Sequence, residues 1–330
     1  MEQIYKFKAK LPVFLTIILY VLFFYLRSIQ GGWDLKMDIL KTQRQALDKK
    51  ISQFLPSPQA ELLSGILLGQ NKNLPGKLKL ALRDTSTLHI VVASGQNLSM
   101  VAGFFLGFSG LIGRRKALVL GLLACIFYTL LSGMQVPILR AAIMFGFASI
   151  AQFFGREKDG WWVLIITAAL MLLVNPAWIT SLSFQLSFLA TFGVIVISPI
   201  FLRWFERVPI IGQDLSVTLA AQIMVTPVIA QNFHQISFVS LAANVLILWT
   251  ISFIMILGSL MILVGTIWSA AGLVVGVGVN IFLTYFIYIV QFFANLPFAW
   301  EYVEEQAWAV WIGYYMIVGG VLLGLSKNRE

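Results

Sequence analysis

Long apolar runs separated by short polar connections dominate the chain. The first run covers residues 11–29, and further runs lie near 88–112, 117–133, 135–154, 161–175, 178–200, 214–231, 237–265, 270–295 and 307–325. A helix of about 20 apolar residues crosses the hydrocarbon core of a bilayer. The pattern therefore predicts an all-α, polytopic membrane bundle of roughly ten transmembrane helices.

Residues 31–86 form the longest stretch without a membrane-length apolar run. An amphipathic helix is predicted by apolar residues spaced by threes, fours and one seven, namely Trp33, Met37, Leu40, Leu47, Ile51 and Phe54. A short apolar helix near 61–68 follows Pro56-Ser57-Pro58. We expect both helices to lie on the outer membrane surface and cover the bundle. A more specific alternative is that these helices also bind a polyanion at the entrance to the bundle, through Lys72, Lys77, Lys79 and Arg83.

This pattern divides the chain into three parts. Residues 1–30 form an N-terminal anchor helix, 31–86 the extracytoplasmic amphipathic helices, and 87–330 the main transmembrane domain. Composition agrees, since 59% of the 330 residues are hydrophobic and 11% are charged, against roughly 25% charged in soluble domains. The sequence therefore leaves no room for a separate soluble catalytic domain. The one cysteine, Cys125, sits in an apolar run and is expected to be buried.

The net charge of +9 is explained largely by membrane orientation. Lys and Arg accumulate in loops on the cytoplasmic side. If the N-terminus is cytoplasmic, so are the connections that contain Lys6, Lys8, Lys10, Arg114, Arg115, Lys116, Arg156, Lys158, Arg203, Arg207, Lys327 and Arg329. The outer loop near residue 300 is acidic instead and contains Glu301, Glu304 and Glu305. We therefore expect both termini in the cytoplasm.

Several chemistries are disfavoured by the residues present. The segment from Gly69 to Gly76-Lys77 is not a phosphate loop, because its glycines are seven apart and Leu78 follows the lysine. The chain has two histidines, and no Asp or Glu lies deep in a predicted span. We therefore expect no catalytic residue, metal site or cofactor, and no proton-coupled transport through carboxylates. The pairs Gly103/Gly107 and Gly272/Gly276 predict close helix packing.

Neutral polar residues and helix breakers remain at membrane depth, where an unpaired polar group costs several kcal/mol. They form four clusters: His89 with Ser94-Gly95-Gln96-Asn97, Pro137 with Arg140, Asn175-Pro176 with Gln185 and Ser187, and Gln222 with Thr226-Pro227, Asn232 and Asn244. The first cluster predicts a broken helix. Taken singly, each neutral side chain is explained by hydrogen bonds between helices, and Arg140 by snorkelling or by capping backbone carbonyls. Together they favour a water-filled path whose neutral lining suits a mobile polyanion.

The order of these motifs resembles the competence domain of ComEC-type proteins. The matching segments are Leu63 to Gly69, His89 with Ala93-Ser94-Gly95, Pro137 with Arg140-Ala141-Ala142, Gly155-Arg156 with Asp159, Asn175-Pro176, Ser183 to Gly193, and Ala243-Asn244. Members of that family form the inner-membrane channel through which transforming DNA enters the cytoplasm as a single strand. The resemblance puts six residues on the family's motif positions: His89, Ser94, Gly95, Arg140, Gln185 and Ser187.

Two departures accompany the resemblance. Family members usually carry an OB-like domain and a metallo-β-lactamase-like nuclease domain, and neither is expected within these 330 residues. Strand degradation is therefore not assigned to this chain. The family motif ordinarily contains Ser-Gly-Leu-His, whereas this chain has Ser94-Gly95-Gln96-Asn97. Asn97 retains a polar side chain but removes any role that depends on protonation of a histidine.

The resulting hypothesis is a passive, non-enzymatic channel for single-stranded DNA uptake in a bacterial inner (plasma) membrane. Phosphates would be guided by Arg140 and by the break at Ser94-Gly95, while Asn97, Gln185 and Ser187 hydrate the strand. The implied partners are a helicase-like ATPase, an extracytoplasmic DNA receptor, a separate nuclease, membrane lipid and a second copy in a homodimer. Two alternatives stay open: a transporter of another polar or anionic substrate, and a non-conducting assembly subunit.

Overall fold

The computed structural model describes residues 19–31, 38–70, 73–91, 94–155, 159–205 and 212–327, and helices fill most of them. Helix α1 covers residues 19–30. The next group is α2 (Lys41–Phe54), α3 (Gln59–Leu68), α4 (Gly76–Asp84), α5 (Leu88–Val91), α6 (Gly95–Gly107), α7 (Ser109–Ile112), α8 (Arg114–Leu131), α9 (Val136–Phe153) and α10 (Gly160–Val174). This helical content confirms the predicted all-α class.

The second half continues with longer helices. After a 3-10 turn (Pro176–Thr180) come α11 (Leu182–Val196), α12 (Ser198–Trp204), α13 (Gly212–Phe233), α14 (Ser240–Ile267), α15 (Ser269–Ala294) and α16 (Trp308–Lys327). Two short strands, β1 (Gln235–Ser237) and β2 (Trp300–Tyr302), pair antiparallel with Ile236 opposite Glu301. The sheet thus joins the end of α13 to the segment that follows α15.

The number of membrane-crossing helices differs from the predicted ten. Among the described residues, α9, α13, α14 and α15 are long and apolar enough to cross by themselves. Helices α11 and α12, bent by 49° at their junction, are apolar enough only as a pair, which fits either a broken span or a re-entrant loop. Several other apolar helices are shorter than a bilayer requires, such as α10 with its 15 residues. The protein is therefore a multi-pass membrane protein, but a count of ten is not confirmed.

Helix boundaries follow the apolar runs closely. The runs at 161–175 and 270–295 correspond to α10 and α15 within one residue at each end. The run at 88–112 is divided into α5, α6 and α7, as the predicted break requires. Some residues used in the sequence argument lie outside the described ranges, namely Lys6, Lys8, Lys10, Trp33, Met37, Lys72, Ala93, Arg156, Lys158, Arg207 and Arg329.

The position of α3 differs from the expected surface location. Leu62, Leu63 and Ile66 are fully buried, and α3 packs against α2, α5, α14 and α15. The physical reason is that α3 is apolar on nearly all sides, and such a helix is stable only when it is surrounded. Helix α2 keeps an exposed face and fully buries only Ile51. Together α2 and α3 form a hairpin that reaches into the bundle.

Close packing through glycine occurs at one of the two predicted pairs. A Cβ placed on Gly272 would lie 2.6 Å from the Cα of Gly265, so α14 and α15 approach closely at their turn. Gly276 also packs tightly, against Met261 and the backbone of Phe54. For Gly103 and Gly107, in contrast, a Cβ would meet no described atom within 4 Å. The packing prediction was wrong for that pair because spacing alone does not identify a facing helix.

Candidate functional site

The break between α5 and α6 leaves a helix N-terminus inside the bundle. Helix α5 ends at Val91 and α6 begins at Gly95. The amide groups in the first turn of a helix have no carbonyl partners within it. The Ser94 side chain does not cap them, since its hydroxyl donates to Oδ1 of Asn97 at 3.2 Å. No side chain in the described part of the chain caps this helix end, and its partial positive charge favours a nearby anion.

Arg140 reaches the same place from α9. Pro137 lies in the first turn of α9, where a missing N–H leaves the helix intact. The Nη2 atom of Arg140 lies 2.9 Å from where a Cβ on Gly95 would stand, so the guanidinium lies directly beside the first turn of α6. The Nη1 atom donates to the carbonyl of Ser187, and the guanidinium lies 5.9 Å from the centre of the Phe188 ring.

The charge of Arg140 has no carboxylate partner among the described residues. The described ion pairs join Arg44 to Asp38 and Arg83 to Asp84. The Nε atom of Arg140 is buried and has no hydrogen-bond partner. A guanidinium beside a helix N-terminus places a full positive charge next to a partial one, and a bound anion stabilises this arrangement. The arrangement is thus suited to a phosphate or carboxylate group.

Ser187 contributes from α11. Its carbonyl accepts hydrogen bonds from Arg140 and from the Thr191 hydroxyl at 3.0 Å. Its own hydroxyl is buried and has no partner. Gln185 is used differently, because its Nε2 donates to the carbonyl of Ile179 at 3.0 Å and fixes the preceding 3-10 turn. The structure therefore brings Gly95, Arg140 and Ser187 together, while Gln185 serves the turn.

The remaining predicted residues occupy other places. His89 is exposed and its Nδ1 lies 2.8 Å from the Ser86 carbonyl. Asn97 is fully buried, and its Nδ2 donates to the Ile66 carbonyl at 2.9 Å. Gln222 and Asn244 each bury a side-chain oxygen that has no partner. None of the described contacts connects these four side chains to Arg140. In the described part of the chain, no group of three His, Cys, Asp or Glu side chains is placed to hold a metal ion.

The sequence analysis did not single out two tyrosines whose hydroxyls donate to carbonyls of other helices. Tyr128 donates to the Ile66 carbonyl at 3.2 Å, beside Asn97. Tyr314 donates to the Ile223 carbonyl at 3.0 Å. Pro227 has no N–H for that carbonyl, which lies four residues earlier in α13. The proline could have indicated an unpaired carbonyl at Ile223, but no local signal indicates which helix supplies the hydroxyl.

Comparisons with known proteins agree with the motifs. A family model described as "Competence protein" matches residues 66–328. The chain is 28% identical over 197 residues to ComE operon protein 3 of Bacillus subtilis, covering 59% of this chain and 25% of that protein. It is 30% identical over 216 residues to the uncharacterized protein YcaI of Escherichia coli, covering 60% and 28%.

These relatives are much longer than the matched region. The chain spans about a quarter of the length of both proteins. No solved structure matches the chain. Because the family model covers most of the chain, including every residue of the Arg140 site, it assigns the family. The chain therefore belongs to the Competence protein family, as its resemblance to ComEC-type domains predicted.

Proposed function

We propose that this chain forms the inner-membrane path for single-stranded DNA uptake during natural transformation. The family supports a role in competence. The observation that carries the proposal is the Arg140 site, where a cation without a described carboxylate partner lies beside the open N-terminus of α6. A phosphodiester fits this chemistry because it brings one negative charge and acceptor oxygens.

The path acts passively in this proposal. Arg140 and the first turn of α6 hold one phosphate at a time, and the Ser187 hydroxyl offers a neutral hydrogen bond beside them. One cation binds a passing phosphate without trapping the strand, whereas a row of lysines would bind many phosphates together. Gln222 and Asn244 carry free acceptor oxygens that water or bases could satisfy. The force that moves the strand comes from a partner protein.

The proposal includes the remaining components of an uptake system. A cytoplasmic helicase-like ATPase pulls the strand, an extracytoplasmic DNA receptor delivers it, and a separate nuclease degrades its complement. Both termini lie in the cytoplasm, lipid surrounds the bundle, and two copies form a homodimer. Support for this orientation comes from the basic connections, which include Arg114, Arg115 and Lys116 at the start of α8.

The proposal is tested by the entry of labelled DNA into the cytoplasm of a strain that lacks the gene. Complementation with the wild-type chain restores entry. Complementation with Arg140→Ala, made in equal amount, does not, and Arg140→Lys restores it in part because the charge remains. Ser99→Ala is the matched control, since the Ser99 hydroxyl bonds only to its own helix.

The alternatives give different results in the same experiment. A transporter of another polar or anionic substrate predicts normal DNA entry in the deletion strain. An assembly subunit predicts loss of entry on deletion but full rescue by the Arg140→Ala chain. Either result would contradict a DNA path through Arg140.

A further inference from the structure

The α2–α3 hairpin reaches the middle of α15. At its tip, Nε2 of Gln59 donates to the hydroxyl of Thr284 at 3.1 Å. Thr284 lies near the middle of α15, a 26-residue helix long and apolar enough to span a bilayer. The Phe54 ring packs on Gly265 and Gly272, at the turn between α14 and α15. The tip therefore lies well below the surface on which a covering helix would rest.

The helices around this tip are exposed to hydrocarbon. Along α14 and α15, large apolar side chains are exposed from one end to the other, namely Trp249, Phe253, Ile256, Leu260, Leu263, Ile267, Leu273, Val274, Val277, Ile281, Tyr288 and Phe292. Such a surface is stable against lipid and costly against water. The α14–α15 hairpin is thus embedded over most of its length, and so is the part of α2 that packs beside the middle of α15.

The exposed face of α2, in contrast to those of α14 and α15, is polar. Its exposed residues are all polar or small, namely Lys41, Thr42, Gln43, Gln45, Ala46, Lys49, Ser52 and Gln53. No large apolar side chain of α2, which is described throughout, is exposed. Asp48 accepts a hydrogen bond from Ser64. Ser64 lies five residues along α3 from Gln59, which bonds to Thr284. Five helical residues span roughly 8 Å, so Lys49, next to Asp48, lies about that far from the level of Thr284. That depth is within the hydrocarbon layer, whose half-thickness is about 15 Å.

Lys49 and Gln53 are polar side chains exposed at membrane depth. Contact with lipid would cost each of them several kcal/mol. The apolar face of α2 is already buried, through Ile51 and its neighbours. The remaining polar face is therefore stable only against water. We propose that this face of α2 lines a water-filled cavity within the bundle and that a single-stranded polyanion passes along it.

The chemistry of the face suits the backbone of a nucleic acid strand. Lys41 and Lys49 are its exposed cations, and they lie two turns apart on the same side of the helix. Glutamine, threonine and serine side chains between them offer neutral donors. No acidic residue is exposed on α2, since Asp48 turns towards Ser64. The DNA assignment rests on the proposed function, whereas the water-filled cavity does not.

Accessibility to a water-soluble, charged methanethiosulfonate reagent tests the cavity. The background is Cys125→Ser, which removes the buried native thiol. Gln53→Cys and Leu263→Cys are then compared in native membranes treated from both sides. We expect Gln53→Cys to react at least about tenfold faster, because the reagent attacks ionised thiols in water. Leu263 is the matched control, as an exposed side chain on embedded α14.

A single-stranded oligonucleotide tests the ligand in the same membranes. We expect it to slow the modification of Gln53→Cys several-fold, and high salt to remove the protection. If Gln53→Cys were no more reactive than Leu263→Cys, the water-filled cavity would be disproved. Reaction without protection would overturn the DNA assignment alone. Failure of the proposed function is separate, since it appears as normal DNA entry in the deletion strain.

Discussion

At the scale of single residues, Arg140 and Asn97 show how two nearby polar side chains take different roles. Arg140 keeps a buried Nε without a partner beside an open helix end. Asn97 has its amide bonded to the Ile66 carbonyl and its oxygen to the Ser94 hydroxyl. A group with unsatisfied bonding capacity is available to a ligand. Asn97 is therefore a structural link between α6 and α3, and Arg140 is the residue that we propose binds the strand.

This difference predicts a stability effect at Asn97. Asn97→Ala removes the donor to the Ile66 carbonyl, although the Tyr128 hydroxyl remains bonded to that oxygen. We expect the free energy of unfolding to fall by about 1–2 kcal/mol. Thermal unfolding of the purified protein in detergent measures the loss. DNA entry per folded molecule should be retained, and its complete loss in a stable Asn97→Ala protein would contradict the structural role.

The sequence predicts Arg140, Gly95 and Ser187 as candidate site residues because a cation, a helix-breaking Ser-Gly pair and a polar segment are unusual inside apolar runs. It could not separate them from Asn97. The distinction depends on Ile66, which lies 31 residues earlier in the chain and presents its carbonyl to the asparagine. Hydrogen-bond partners this far apart are set by tertiary packing, which local patterns do not encode.

At the scale of helices, the contact between α11 and α13 depends on a missing side chain. A Cβ on Gly193 would lie 2.4 Å from the carbonyl oxygen of Ala220 and 2.8 Å from the Met224 side chain. The backbone oxygen cannot rotate away as a flexible side chain would. Helix α11 also carries Ser187, so its separation from α13 affects the position of the Arg140 site.

Gly193→Ala is therefore expected to push the two helices apart. The cost should be about 1–3 kcal/mol of unfolding free energy, with reduced DNA entry. Gly103→Ala is the matched control, because nothing lies within 4 Å of its Cβ position, and helix propensity there favours alanine by up to about 1 kcal/mol. Thermal unfolding in detergent measures the stability of both variants. Equal stability of the two variants would contradict the close approach.

At the scale of the whole molecule, apolar runs predicted where most helices begin and end. They did not predict how the helices surround one another. Helix α3 was expected at the surface because it is too short to span, but its apolar circumference places it among α2, α5, α14 and α15. One signal was present in the sequence, because residues 51–60 contain no charged side chain. Such a segment can enter hydrocarbon as the tip of a hairpin.

A photo-cross-link tests most directly whether DNA passes beside Arg140. Phe188 lies next to the Arg140 guanidinium, and a photoreactive phenylalanine analogue can replace it. Phe253, exposed on α14, is the matched control. Illumination during uptake of labelled DNA should join the strand to position 188 and not to position 253. Uptake at the normal rate without a cross-link at position 188 would contradict a DNA path through this site.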